Sequence, residues 1–245
     1  MELMNLIKAV TFDLWNTLFA DRNFTDHRVN YVEEFLSKNG VPRSHREIRQ
    51  AYMSSMEHAK RVLETENHRH LTNVERMDHI MRQMGVELRD EGKKELIEKF
   101  EAAIWENPPS LKEGAVVTLE ALKPVYSMGV ISDTGITPGR VVMEMLNELG
   151  ILDFFGSTVF SDEVGFCKPH ESMFRTALRE LKTSPHEAVH VGDLLETDVA
   201  GAKAFGMSAI WVKTVEPRIP GIWVPDYEVT ALPQVIRILD EMSSG

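Results

Sequence analysis

With a single cysteine, Cys167, among 245 residues, the chain has no internal disulfide and points to a reducing compartment. No stretch reaches the roughly 20 apolar residues that a membrane helix needs. Met1–Lys8 lacks the basic start and apolar run of a secretory leader. Positive charge is also short: 27 Lys and Arg face 38 Asp and Glu, for a net charge of -11. That balance excludes the cationic face on which nucleic-acid phosphates bind. It suits an enzyme whose divalent cation offsets local negative charge where an anionic substrate binds. There is no internal repeat and no low-complexity tract. The expectation is a cytoplasmic protein with no membrane or nucleic-acid partner, acting as monomer or homodimer. The hydrophobic share, 43%, is ample for one large domain or two modest ones.

The chain changes rhythm along its length. Residues 7–14 are short, apolar and β-branched, as in a buried parallel strand. Residues 21–107 are charged and punctuated like helices. Val29, Val32, Phe35 and Leu36 fall at helical spacing, with Gly40 as a stop. Ser44 with Glu47, and Thr72 with Glu75, are capping boxes that open two further helices. Another spans 90–105, before Pro108 and Pro109. From Ser110 onward helix and strand alternate. Strands are expected over 125–132, 158–161, 188–191 and 208–212. Helices are expected over 113–122, 172–181, 197–205 and 232–242, with one more that opens at Thr137-Pro138, with proline in its first turn, and closes at Gly150. The fold class is therefore α/β: a parallel sheet with helices on both faces, plus an inserted all-helical segment. The core is assigned to 1–20 and 108–245, and the insert to 21–107. Ligands of such sheets bind at the carboxyl ends of the strands. Asp13, Ser132 and Asp193 all fall there.

Four segments carry the chemistry. The first is Phe12-Asp13-Leu14-Trp15-Asn16-Thr17-Leu18. The second is Val130-Ile131-Ser132-Asp133, and the third Gly165-Phe166-Cys167-Lys168-Pro169. The fourth runs from Val191-Gly192-Asp193 to Asp198. In this order the chain resembles the haloacid dehalogenase (HAD) superfamily of hydrolases. The resemblance implies a Rossmann-like core, a mobile C1-type cap formed by the helical insert, and an aspartyl-enzyme intermediate. It makes Asp13 the nucleophile. Mg²⁺ would be held by Asp13, Asp193, Asp198 and the Trp15 backbone carbonyl, with Asp198 either a direct ligand or one step behind. Lys168 would pair with the nucleophile and the phosphoryl oxygens. Ser132 and Asp133 belong to the substrate-binding loop, and Asn16 and Thr17 shape the turn after Asp13. The substrate implied is a small phosphorylated metabolite.

Trp15 departs from the pattern. Phosphatases of the superfamily carry an aspartate there as general acid and base, a contribution of about 10² to 10⁴ in rate. An indole transfers no such proton, so alkyl phosphates should suffer more than acyl or aryl phosphates. Dehalogenases of the superfamily have an aromatic residue at that place, which keeps a metal-independent 2-haloacid dehalogenase as the alternative. A low-activity phosphate-binding module is a third reading. The retained Asp193 and Asp198 favour Mg²⁺ and phosphate. Six histidines of the insert (His27, His45, His58, His68, His70 and His79) could each supply the missing acid. Cys167 reads as a small buried filler.

Overall fold

A computed structural model describes residues 6–20, 22–213 and 222–244. Met1–Asn5, most of the segment read as lacking a leader, and Asp21, the first residue of the expected insert, lie outside the described residues. Six parallel strands form one sheet: β1 Ala9–Phe12, β2 Ser127–Ser132, β3 Ser157–Phe160, β4 Ala188–Gly192, β5 Ser208–Val212 and β6 Tyr227–Val229. Their order is β3-β2-β1-β4-β5-β6. The direction of winding reverses at β1, which pairs Phe12 with Val130 on one side and with Val191 on the other. That reversal opens a crevice beyond the carboxyl ends of β1 and β4.

The alternation of side chains divides the sheet into two apolar faces. Val10, Phe12, Val130, Val189 and Val191 pack against α5 (Ala115–Leu122), α6 (Gly139–Glu148) and α10 (Gln234–Ser244). Ala9, Ile131, Ala188 and Trp211 pack against α8 (Glu171–Glu180) and α9 (Ala200–Ala204). Burial on both faces explains why the strands read as continuous apolar runs rather than alternating ones.

Among the described residues, four α-helices stand between β1 and α5: α1 Thr25–Lys38, α2 His45–Thr65, α3 Asn73–Gln83 and α4 Asp90–Ala102. They share an apolar cluster of their own, including Val32, Leu36, Ile48, Met77, Ile80, Leu96 and Phe100. Both capping boxes form as the sequence requires. Several hydrogen bonds tie these helices to the sheet domain. His70 N–H donates to Gly165 O at 2.9 Å, and Cys167 N–H to His68 O at 2.8 Å. Asn73 Nδ2 donates to Ile136 O at 2.7 Å, and the Ile136 side chain sits inside the helical cluster.

The departures from expectation are local. Pro138 is the residue that precedes α6 and is extended, so it lies outside the first turn rather than in it. The helix expected over 197–205 begins instead with a π-turn, Leu195–Val199, before α9. A short helix, α7 (Ser161–Val164), follows β3, and β6 closes the sheet; neither has a distinctive sequence signal. Among the described residues no helix is long and apolar enough to cross a membrane.

Candidate active site

Asp13 stands one residue past β1, fixed by its N–H donating to Val191 O at 2.9 Å. The chain then turns tightly around one carbonyl. Leu14 O accepts from the N–H groups of Thr17, Leu18 and Phe19 at 3.2, 2.9 and 2.7 Å. Closing that turn puts Asn16 at φ +60°, a left-handed conformation that Asn tolerates better than most residues. The turn aims Asp13 into the crevice while leaving it buried.

Lys168 is the hub. Its Nζ donates to Asp13 Oδ1 at 2.7 Å, to Asp198 Oδ1 at 2.6 Å and to Ile131 O at 2.9 Å. Its main-chain N–H donates to Asp133 Oδ1 at 2.9 Å, so Asp133 holds the lysine loop in place. All three protons of the ammonium are used and the residue is only 3% exposed. Asp198 is equally saturated: Oδ1 also accepts from or faces His190 Nε2 at 3.1 Å, and Oδ2 accepts from Leu194 N–H at 3.0 Å. His190 is in turn paired with Thr11 Oγ1 at 2.9 Å.

Gly192 makes room for this arrangement. A Cβ there would lie 2.3 Å from Asp198 Cγ and 2.6 Å from its Oδ2. Asp198 could yield only by leaving Lys168, His190 and Leu194 together. Gly192→Ala is therefore expected to cost about 2–4 kcal/mol, the sum of overpacking and lost hydrogen bonds. Denaturant unfolding measures it, and a midpoint equal to wild type would mean that Asp198 has slack.

Carboxylate oxygens of Asp13, Asp193 and Asp198 lie within 4.8 Å of one another, and all three residues are buried. Three carboxylates against one ammonium leave a net charge of -2 if every group is ionised. The electrostatics register that excess. Burial pushes Asp13 up to about 8 against the pull of Lys168, and Asp198 and Asp193 add repulsion. Burial, then Asp198, pushes Asp193 up to about 7. Burial would also raise Asp198, but Lys168 and His190 outweigh it and hold that carboxyl below the ordinary range. For Lys168 burial works downward and is overcome by Asp13, Asp198 and Asp133, so the ammonium stays charged. Burial takes Asp133 up to about 6. Hard oxygen donors, close spacing and a deficit of two positive charges together fit one divalent cation. Asp198, its oxygens already engaged, is better placed to orient Lys168 than to ligate directly.

Two hydroxyls beside Asp13 are conspicuous for having no partner. Thr17 Oγ1 and Ser132 Oγ are fully buried, and neither meets a donor or acceptor. Leaving a buried hydroxyl unsatisfied costs about 1–3 kcal/mol, a cost that a polar group placed within reach of the pair would relieve. Trp15 is half-buried and packs edge-on against Phe19, with ring centroids 5.6 Å apart. Of the six insert histidines, His70 reaches the sheet, where Nδ1 meets Ser161 Oγ at 3.0 Å. No hydrogen bond among the described residues joins any of the six to Asp13 or Lys168. Cys167 is buried, and burial pushes its thiol up to about 12.

Sequence reasoning passed over two residues. His190 is a lone polar side chain inside the apolar strand β4, which was a visible signal. Lys112 gave none: its Nζ donates to Asn16 O at 2.7 Å, bracing the turn after Asp13, and its charge is felt at Asp193.

Fold and site define a doubly wound α/β protein with a carboxylate–lysine centre at its switch point. Residues 7–206 match the haloacid dehalogenase-like hydrolases, and the chain belongs to that family. Glyceraldehyde 3-phosphate phosphatase of Pyrococcus furiosus is 36% identical over 133 residues, 52% of this chain and 53% of that protein. The chain spans about half, or less, of the length of the curated relatives it matches. The crystal structure of an HAD phosphatase from Thermococcus onnurineus is similar with a TM-score of 0.67 at 25% identity, covering 95% of this chain and 98% of that one. A 2-haloacid dehalogenase from Pseudomonas syringae pv. Tomato DC3000 gives 0.70 at 24%, covering 96% and 99%, a likeness of fold.

Proposed function

We propose that this chain is a Mg²⁺-dependent phosphatase of small phosphorylated metabolites, with residues 21–107 acting as a cap over the site. The observation that carries the reading is the pair of unpartnered hydroxyls, Thr17 Oγ1 and Ser132 Oγ, beside the buried Asp13–Lys168 pair. A phosphoryl group supplies the acceptors that those hydroxyls lack, and its charge is offset by the ammonium beside Asp13. Asp13 attacks phosphorus in line, the alcohol or acid leaves, and water then hydrolyses the aspartyl phosphate. Lys168 neutralises the phosphoryl oxygens, while Asp198 and Asp133 keep it in register. Asp13 and Asp193 would hold Mg²⁺, which would supply further charge neutralisation there. The phosphatase names of curated relatives support the same reading.

Trp15 leaves the leaving group without a proton donor at that position. Phosphate release should therefore need Mg²⁺, stop in EDTA, and run faster on acyl and aryl phosphates than on sugar phosphates. Trp15→Asp should raise the ratio of alkyl to aryl turnover by about tenfold or more. Halide release from 2-haloacids in EDTA, with no phosphate release under either condition, would select the dehalogenase instead.

A further inference from the structure

Two arginines of the helical segment point inward and meet no acid. Arg28 on α1 is 7% exposed and Arg76 on α3 is 3% exposed. Neither forms an ion pair with any described residue. Arg28 is otherwise well used: Nε donates to Phe100 O at 3.1 Å, Nη2 to Thr137 Oγ1 at 3.0 Å, and the guanidinium lies over the Phe24 and Phe100 rings. Arg76 is not. Its contacts are Nη1 to Ser55 O at 3.3 Å and to Met56 Sδ at 3.4 Å, both weak, and its buried Nε–H finds no acceptor.

A buried cation without a counter-charge costs several kcal/mol, and an apolar side chain of similar volume would serve packing better. Burial pulls Arg76 down to about 10 and Arg28 downward too, with the Tyr52 phenol beside both opposing it. The placement is specific. Arg76 lies in the first turn of α3, its N–H donating to Thr72 O at 2.9 Å, and that end of the helix is tied down by Asn73 Nδ2 on Ile136 O at 2.7 Å and by His70 N–H on Gly165 O at 2.9 Å. Arg28 holds Thr137, five residues past Ser132. The helix ends that carry both arginines are thus tied to the loops that follow Ser132 and precede Lys168.

We propose that Arg76, with Arg28 beside it, is a specificity site for a second anionic group, carboxylate or phosphate, on the substrate whose phosphoryl group lies at Asp13. The proposal rests on the phosphatase reading. It narrows the substrate class to small phosphate esters with a negative charge at the far end. A guanidinium forks onto either oxyanion through paired N–H groups.

The test compares probes that differ only at that end. 3-Phosphoglycerate and glycerol 3-phosphate share a skeleton and differ by carboxylate against hydroxymethyl. Propane-1,3-diol bisphosphate and its monophosphate ask the same of a second phosphate. 4-Nitrophenyl phosphate, without a second anion, reports on phosphatase activity alone. Wild type should favour at least one probe carrying the second anion over its partner without it by about tenfold or more in kcat/KM, as expected of one charge-assisted hydrogen bond; which pair shows it identifies the anion. Arg76→Gln should bring that ratio near one, and Arg76→Lys should keep part of it. Calorimetric binding to the Asp13→Asn protein gives the same ratio as Kd, without turnover. A wild-type ratio of one or below overturns the proposal, as does an equal loss on both members of a pair in Arg76→Gln. Should that variant fail to fold, the wild-type and Arg76→Lys ratios decide. A wild type that hydrolyses 4-nitrophenyl phosphate but shows no preference within either pair defeats this proposal alone; no hydrolysis of any probe defeats the phosphatase reading.

Discussion

Asp13→Asn is expected to lower phosphate release by at least about 10³-fold, the scale seen when a covalent nucleophile is removed, without lowering the melting temperature. The two halves of that expectation have separate causes. An amide oxygen is too poor a nucleophile to attack phosphorus, so only binding and charge stabilisation remain. The same oxygen can still accept from Lys168 Nζ, now 2.7 Å from Asp13 Oδ1, and the side chain keeps its volume. Removing one negative charge also relieves repulsion with Asp198 and Asp193, which already push Asp13 upward together with burial. Functional sites commonly hold such stability-costing charge for the sake of reactivity. Malachite-green assays and thermal melts on the same preparation check both halves. Retained turnover would remove Asp13 from the mechanism; a large fall in melting temperature would mean that its charge holds the fold.

Much of the architecture could be read in the chain because both faces of the sheet are buried. Runs such as Ala9-Val10-Thr11-Phe12 leave few alternatives to a parallel strand, and two capping boxes fixed the starts of α2 and α3 in advance. What was hidden depended on tertiary contact. The π-turn at Leu195–Val199 forms where Asp198 is drawn onto Lys168, Leu194 and His190, so local propensity said only "helix". β6 is three residues long and owes its identity to pairing with β5.

The site was legible to the extent that its members are strand-end residues in an ordered series. Asp13, Ser132 and Asp193 share one edge because β1, β2 and β4 are neighbours, and Lys168 joins them from the loop between α7 and α8. Relations between members were not legible. Nothing in Asp133 announces that it accepts the Lys168 main-chain N–H, and nothing in Arg76 announces a buried guanidinium with an idle donor. Charged residues on helices usually face water, and the packing of α3 against α2 turns this one inward.

Lys168→Met should be the most destabilising single change at the centre, by about 3–5 kcal/mol, the cost of breaking a buried ion pair from one side. Among the described residues the ammonium is the one cation touching both Asp13 and Asp198, and it also satisfies Ile131 O. Methionine fills the space of the stem but leaves those oxygens facing one another in a nearly dry site. Turnover should be lost as well, but stability is the sharper readout, since a lysine that merely bound substrate would leave the empty protein unchanged on removal. The explanation can be separated from simple mispacking by a second variant. Asp198→Asn placed on Lys168→Met deletes one stranded charge while keeping an oxygen for Leu194 N–H. If unpaired charge is the cause, the double variant recovers part of the loss, and the cycle yields a coupling energy of about 1–3 kcal/mol. Additive losses in denaturant unfolding would instead assign the damage to packing, and would deny Lys168 its place as the keystone of the carboxylate cluster.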